Sequence, residues 1–377
     1  MKLNVAIIGC GAMGQNHATQ WMAVEDAEIA AVSDPIQERR EKMAESTGAA
    51  AYSDYRDAIL HEGVNVVSVC TPVCFHAEIS VFAAEHGRHV LCEKPIALTL
   101  EQADEMIRVA RFNNVLLSTS FQCRGFSRNI NYRQLLREGA FGGPIFVRYM
   151  DIREVRPKLA MHRRSMNGGP VIDMAGHYFD TMRFITGEEP VSVSARGHVY
   201  GRGKERLASI DDLAIDAAEI LVNFTGGHVL SVFVNWGMPE GFRGFGEEYI
   251  VGPAMSARVE GGQVRLRFPD REETFEANAG NPPGSSVRIN DLAAAIREGR
   301  QPEVTGEDGR VALAVRLAVP SESPASTPGS PGLIRLPQLR ALPLGRPDSI
   351  GMQDRSASQY MCRPSAHRID STPRKRY

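Results

Sequence analysis

Six cysteines in 377 residues, at positions 10, 70, 74, 92, 123 and 362, are too few and too irregular for a disulfide scaffold. No C-x-x-C pair marks a zinc or redox site, so no metal is expected. A net charge of −2 supplies no field that would gather nucleic acid or an anionic membrane. No apolar run approaches the roughly 20 residues that cross a bilayer. The first strand-like run opens within a few residues of Met1, which predicts no signal peptide. These absences predict a cytoplasmic protein without nucleic-acid or membrane partners. Its length allows two domains with substantial cores.

What is present is concentrated at the start. Val5-Ala-Ile-Ile-Gly9-Cys-Gly11-Ala12-Met13-Gly14 is an apolar strand running into glycines spaced G-x-G-x-x-G. Twenty residues past Gly14, Asp34 closes a second apolar run. Glycine spacing alone is weak evidence. Strand, glycines, helix, second strand and terminal acid together form a dinucleotide-binding signature. Gly9 permits the tight turn, Gly11 lets the backbone approach a pyrophosphate, and Gly14 lets the helix pack on the strand. A helix from Ala12 and Met13 onward offers unpaired N–H groups and a positive dipole end to that anion. Asp34 would accept hydrogen bonds from a ribose, and a 2′-phosphate there would face a carboxylate. NAD is therefore expected rather than NADP.

Residues 1–122 alternate strands, at 4–9, 29–33, 64–70, 89–92 and 115–119, with helical patterns such as 76–85 and 100–112. That alternation predicts an α/β Rossmann domain with a doubly wound parallel sheet. Ligands on such sheets sit beyond the carboxyl ends of the strands. Residues 123–318 change texture: helices at 128–138 and from Pro170, then strand after strand between 190 and 275, then helices at 287–298 and after 305. This predicts a C-terminal α+β domain with a large, mainly antiparallel open sheet. Residues 319–377 hold a Pro-, Ser- and Arg-rich segment with little periodicity, read as a disordered or aberrant tail.

Two segments carry chemistry beyond cofactor binding. His89-Val-Leu-Cys-Glu93-Lys94-Pro95 is a buried strand that delivers Lys94 to the cofactor edge. Gly168-Gly-Pro170-Val-Ile-Asp173-Met-Ala-Gly-His177-Tyr-Phe-Asp180 starts a helix at Pro170 and places Asp173 and His177 on one face. An acid one turn before a histidine can orient the imidazole and support proton transfer; capping is the competing role. His17 and Trp236 read as packing residues, Cys70 and Cys74 lack partners for a metal site, and Arg163-Arg164 read as solvated charges.

With these residues in order, joined by Thr71-Pro72 with His76, by Phe121-Gln-Cys-Arg124-Gly125 and by Val304-Thr-Gly-Glu-Asp308, the chain resembles the Gfo/Idh/MocA family of oxidoreductases over about residues 3–318. The resemblance implies that Lys94, Asp173 and His177 carry the chemistry. It implies that Glu93 and Lys94 contact the nicotinamide ribose or substrate, that Thr71, Pro72 and His76 line the cofactor cleft, and that the bond before Pro95 is cis. Arg124 resembles a substrate-side arginine, beside Lys94 and His177. Gly125 stands where many members have a second arginine, Val73 where an asparagine is frequent, and Pro170 where a third glycine is frequent.

The implied reaction is hydride transfer between a nicotinamide and a secondary alcohol of a sugar or inositol-like polyol. His177 serves as base, Asp173 holds its ring, and the Lys94 ammonium stabilises the alkoxide. The resemblance leaves two alternatives: an NAD-dependent glycosidase of the same fold, and a non-catalytic dinucleotide-sensing regulator. It also implies a homodimer or homotetramer built through the C-terminal sheet.

Overall fold

The computed structural model of the protein describes residues 1–278, 284–319 and 334–336. The chain opens β1 (Leu3–Ile8), α1 (Ala12–Met22), β2 (Ala27–Ser33), α2 (Gln37–Thr47), β3 (Ala50–Tyr52), α3 (Tyr55–Ile59), β4 (Val66–Val69), α4 (His76–Glu85), β5 (His89–Cys92), α5 (Leu100–Phe112) and β6 (Leu117–Thr119). These strands form one parallel sheet in the order β3-β2-β1-β4-β5-β6. Its central strands are buried on both faces, as their unbroken apolar runs require. The strand order reverses between β1 and β4, and the crevice at that point opens at the carboxyl ends. The short β3 escapes the sequence reading because Ala50–Tyr52 is only partly buried and lacks an apolar run.

The second half runs α6 (Ser127–Arg137), β7 (Phe146–Glu154), α7 (Pro170–Thr186), β8 (Pro190–His198), β9 (Ala217–Phe224), β10 (Val229–Met238), β11 (Phe245–Val251), β12 (Ser256–Glu260), β13 (Gln263–Arg267), β14 (Glu272–Glu276), α8 (Gly284–Glu298), α9 (Gly306–Leu317) and β15 (Ile334–Arg335). Its sheet runs β14-β13-β12-β11-β7-β10-β9-β8-β15. All its pairings are antiparallel except β7 with β10, at the centre, which run parallel. Alternation along β9 and β10 turns Ile220, Val222, Leu230 and Val232 onto α7, where Phe179 and Met182 meet them. The other face carries the exposed Phe146, Leu221 and Val251.

The last two helices return to the first sheet. Ile289, Leu292, Ala293 and Ile296 of α8 pack with Leu3 and Trp21. In α9, Leu313 enters the first core and Val315 the second, while Ala312 sits against Phe121. A buried leucine of this kind contributes about 1.5–3 kcal/mol, so α9 fastens the two halves. Residues 320–333 and 337–377, which carry nearly all of the tail reading, lie outside the described residues. Ile334 and Arg335 pair antiparallel with Val193 and Ser192. No helix among the described residues is long and apolar enough to cross a membrane.

Candidate active site

The glycine loop is shaped by what each position excludes. Gly9 takes φ +96°, and a Cβ there would lie 2.7 Å from the Cys70 carbonyl oxygen. A Cβ on Gly14 would stand 1.9 Å from the Gly9 carbonyl, so only glycine lets α1 approach β1. At Gly11 a Cβ would meet nothing within 4 Å, which leaves open space in front of the helix. No side chain caps α1 and no acid stands in its first turn, so the N–H groups of Ala12 and Met13 are left for an anion. The buried Thr71 hydroxyl, just past the end of β4, has no hydrogen-bond partner among the described residues. This edge fits a dinucleotide. Asp34 is buried there, its Oδ2 accepting from the Cys10 N–H and its Oδ1 from the Ile36 N–H, both at 2.9 Å. It therefore braces the glycine loop itself.

Beyond β5, Lys94 projects from the same edge, joined to Pro95 by a cis bond. On the other side, Gly169 (φ +108°) caps α7 and Pro170 occupies its first turn. A Cβ on Gly169 would stand 2.4 Å from that of Ala214, so the helix starts tight against the following chain. Asp173 follows in the first turn, and the two halves meet through it. Lys94 Nζ donates to Asp173 Oδ1 at 3.0 Å and to the Asp173 carbonyl at 3.2 Å. Burial opposes the ammonium, but Asp173 and then Glu93 outweigh it and hold the Lys94 pKa above the usual lysine range.

His177, one turn on, is buried with its Nδ1 3.5 Å from Cys123 Sγ and its ring edge-on to Phe121. Burial first, then the Lys94 ammonium, push its pKa down to about 3, against the pull of Asp173 and Glu93. The expected orienting bond from Asp173 to His177 is replaced. Asp173 spends its carboxylate on Lys94, because the ammonium is the stronger partner within reach.

Other expected residues sit differently from their sequence reading. Both Glu93 oxygens are engaged, Oε1 with His17 Nε2 at 3.0 Å and Oε2 with the Lys94 N–H at 3.1 Å. Burial would raise its pKa, but the contacts with His17 and the Lys94 ammonium bring it to about 2. Glu93 thus anchors the lysine segment from inside the sheet instead of facing a ribose. His76 stands between the carbonyls of Pro95 and Thr71, each 2.9 Å from a ring nitrogen, and staples the two edge loops together. Burial lowers its pKa.

Arg124 is the plainest correction. Its Nε and Nη2 donate to Asp180 at 2.8 and 2.5 Å, its Nη1 donates to the Glu303 carbonyl at 2.9 Å, and Asp308 stands 3.0 Å away. Four of its five N–H groups are committed in this way, so the guanidinium braces the fold and is not presented to a substrate. Arg163 is not merely solvated, for it bridges Asp211 and Asp212 at 3.2 Å, and Arg164 reaches the Leu213 carbonyl. Trp236 packs as expected, buried, with its indole N–H on Asp151.

Four residues make contacts that the sequence did not announce. Cys123 meets His177, although its position next to Arg124 gave no signal that a thiol would face the ring. Asn167 and Met166, just before α7, accept from the Val73 and Cys74 N–H groups at 3.4 and 2.9 Å and join the second half to the Thr71 loop. Asp308 closes a capping box with Thr305 and also binds Arg124 and Arg183. No group of side chains suited to a metal occurs among the described residues.

The chain matches known proteins along most of its length. Residues 3–121 match the profile described as an oxidoreductase family, NAD-binding Rossmann fold, and residues 130–265 match a GFO/IDH/MocA C-terminal domain. The myo-inositol 2-dehydrogenase of Thermotoga maritima is 28% identical over 84% of this chain and 95% of its own. The 1,5-anhydro-D-fructose reductase of Ensifer adhaerens is 32% identical over 68% of this chain and 76% of its own. Among solved structures, a probable dehydrogenase from Thermotoga maritima superposes with a TM-score of 0.68 at 27% identity, covering 84% of this chain and 96% of that one.

Proposed function

The chain belongs to the Gfo/Idh/MocA family of oxidoreductases, and we propose that it oxidises a secondary alcohol of a sugar or cyclic polyol, or reduces the matching ketone. It is an oxidoreductase with a nicotinamide-binding Rossmann domain. The observation that carries the substrate-side reading is the meeting of Lys94 from the first half with Asp173 and His177 from the second. We assign residues 1–122 to the cofactor and 123–318 to the substrate and to subunit contacts.

Gly9, Gly11, Ala12, Met13 and Gly14 would hold the pyrophosphate, and Asp34, whose two oxygens each keep a second lone pair, would hold the adenosine ribose. The carboxylate disfavours a 2′-phosphate, which supports NAD over NADP. Bound oxidised nicotinamide supplies the hydride acceptor. The remaining work falls to side chains. Burial and the Lys94 charge keep His177 neutral, so it is ready to take the hydroxyl proton at working pH. As the alcohol is oxidised, negative charge grows on its oxygen. The Lys94 ammonium, held by Asp173, donates to that oxygen from a site where water is scarce, an effect typically worth a few kcal/mol. In the reverse direction the same environment makes the His177 imidazolium a strong proton donor to a ketone.

The outer face of the second sheet, with exposed Phe146, Leu221 and Val251, supports a homodimer or homotetramer. No disulfide joins the described cysteines, which supports a reducing, cytoplasmic setting. The test is spectrophotometric: purified protein with NAD⁺ against inositols, hexoses and sugar acids, following NADH absorbance. At least one polyol should yield NADH. Cleavage of an aryl glycoside without net NADH would replace the dehydrogenase reading with the glycosidase one, and tight NAD binding with no oxidation across the panel would favour a sensor.

A further inference from the structure

The imidazole of His177 needs a partner that fixes its tautomer, and the acid expected to do so is committed to Lys94. Among the described residues its Nδ1 has one hydrogen-bonding contact, Cys123 Sγ at 3.5 Å, and its Nε2 has none. We propose that Cys123 is the positioning residue of His177, its sulfur accepting the Nδ1–H so that the Nε2 lone pair is left for a substrate hydroxyl. The inference rests on the reading of His177 as the base.

Three observations support it. An imidazole N–H is a stronger donor than a thiol S–H, which sets the direction of the bond. The thiol is also neutral, because burial pushes it up to about 12 against the pull of Arg128 and Lys94. Sulfur therefore orients the ring without adding negative charge beside it. The charged groups facing the ring are Lys94 and Glu93 from the segment after β5 and Asp173 from α7 itself, with uncharged Phe121 at its edge. A carboxylate at position 123 would instead stabilise the imidazolium. Finally, Cys123 is held in place: its carbonyl accepts from Asn129 Nδ2 at 2.7 Å, and the neighbouring Arg124 is locked by Asp180. The sulfur has a fixed address.

Imidazole ¹⁵N NMR of the full-length, ligand-free protein tests this directly, with His177→Asn assigning the signals. The wild-type ring should carry its proton on Nδ1. Cys123→Ala should give a mixture of tautomers, Cys123→Ser should keep the wild-type one, and Cys123→Asp should raise the ring pKa by about one unit or more. With myo-inositol and NAD⁺, Cys123→Ala should lower kcat roughly tenfold with the KM for NAD⁺ unchanged, and Cys123→Ser should recover most of it. A wild-type proton on Nε2, or a tautomer indifferent to Cys123→Ala, would overturn the proposal while leaving His177 as base. Full turnover by His177→Asn would instead overturn the base, whatever the NMR reports.

Discussion

Two buried ion clusters lie about two turns apart on α7, and they are built on opposite plans. Around Asp180, Arg124 commits four of its five N–H groups to two carboxylates and a carbonyl, and Asp308 takes Arg183 as well. Around Asp173, one of the three Lys94 Nζ protons is left without an acceptor, and His177 has only a long contact to sulfur. Both clusters are assembled from motif residues, and both join segments distant in sequence. The first is all but closed, its arginine held on both edges, and the second is open at the proton and the ring nitrogen it turns toward the cleft. Valence left over at a buried charge, more than the charge itself, separates a site that can act on a ligand from one that holds a fold together.

The sharpest way to break this contrast is to remove each centre and ask what is lost. Lys94→Met should reduce turnover by about 10²–10³-fold, since the developing alkoxide loses its charged donor. NADH affinity, measured by fluorescence titration, should change little, and the melting temperature should fall less than in Asp180→Ala, because the Asp173 side chain keeps 11% of its surface exposed and Asp180 none. A Lys94→Met protein that turns over normally, or that fails to fold, would place Lys94 with the closed cluster.

Asp180→Ala should do the reverse. It leaves the Arg124 guanidinium buried with only Asp308 and a carbonyl, and removing one partner of a buried pair typically costs about 3–5 kcal/mol. The urea midpoint should fall accordingly, while kcat per folded molecule stays near wild type. A variant that is stable but inactive would return Arg124 and Asp180 to the active site.

The same contrast explains what the sequence could and could not disclose. The parallel sheet was legible because β1, β4 and β5 are continuous apolar runs with glycines and acids at their ends. The open sheet was legible from alternation in β9 and β10, although nothing local announces that β7 and β10 run parallel. Lys94, Asp173 and His177 were legible as residue types at a sheet edge and on a helix face. Their partners were not. Which cation Asp173 chooses depends on how α7 docks against the end of β5, and that docking is fixed by Leu313, Val315 and the 166–167 strap, far away in the chain. Arg124 drew attention because an arginine looks the same in sequence whether its donors are free or spent.

Glu93 sharpens the contrast from a third position, because it is spent like Asp180 yet sits next to Lys94. Its pKa is about 2 in the fold against 4.5 as the ordinary value, so the unfolded chain binds its proton more readily. The stability it contributes is therefore present above about pH 4.5 and lost as pH falls toward 2, roughly 3 kcal/mol in all. Glu93→Gln keeps the shape and removes the charge. Its unfolding free energy should fall below wild type at neutral pH, and the gap should close progressively between about pH 4.5 and 2 in chemical denaturation series. Because the lost contacts also brace the Lys94 backbone, kcat should drop severalfold while the base stays intact. A stability gap that is constant with pH would mean that Glu93 titrates alike in the folded and unfolded chain and holds Lys94 by shape alone.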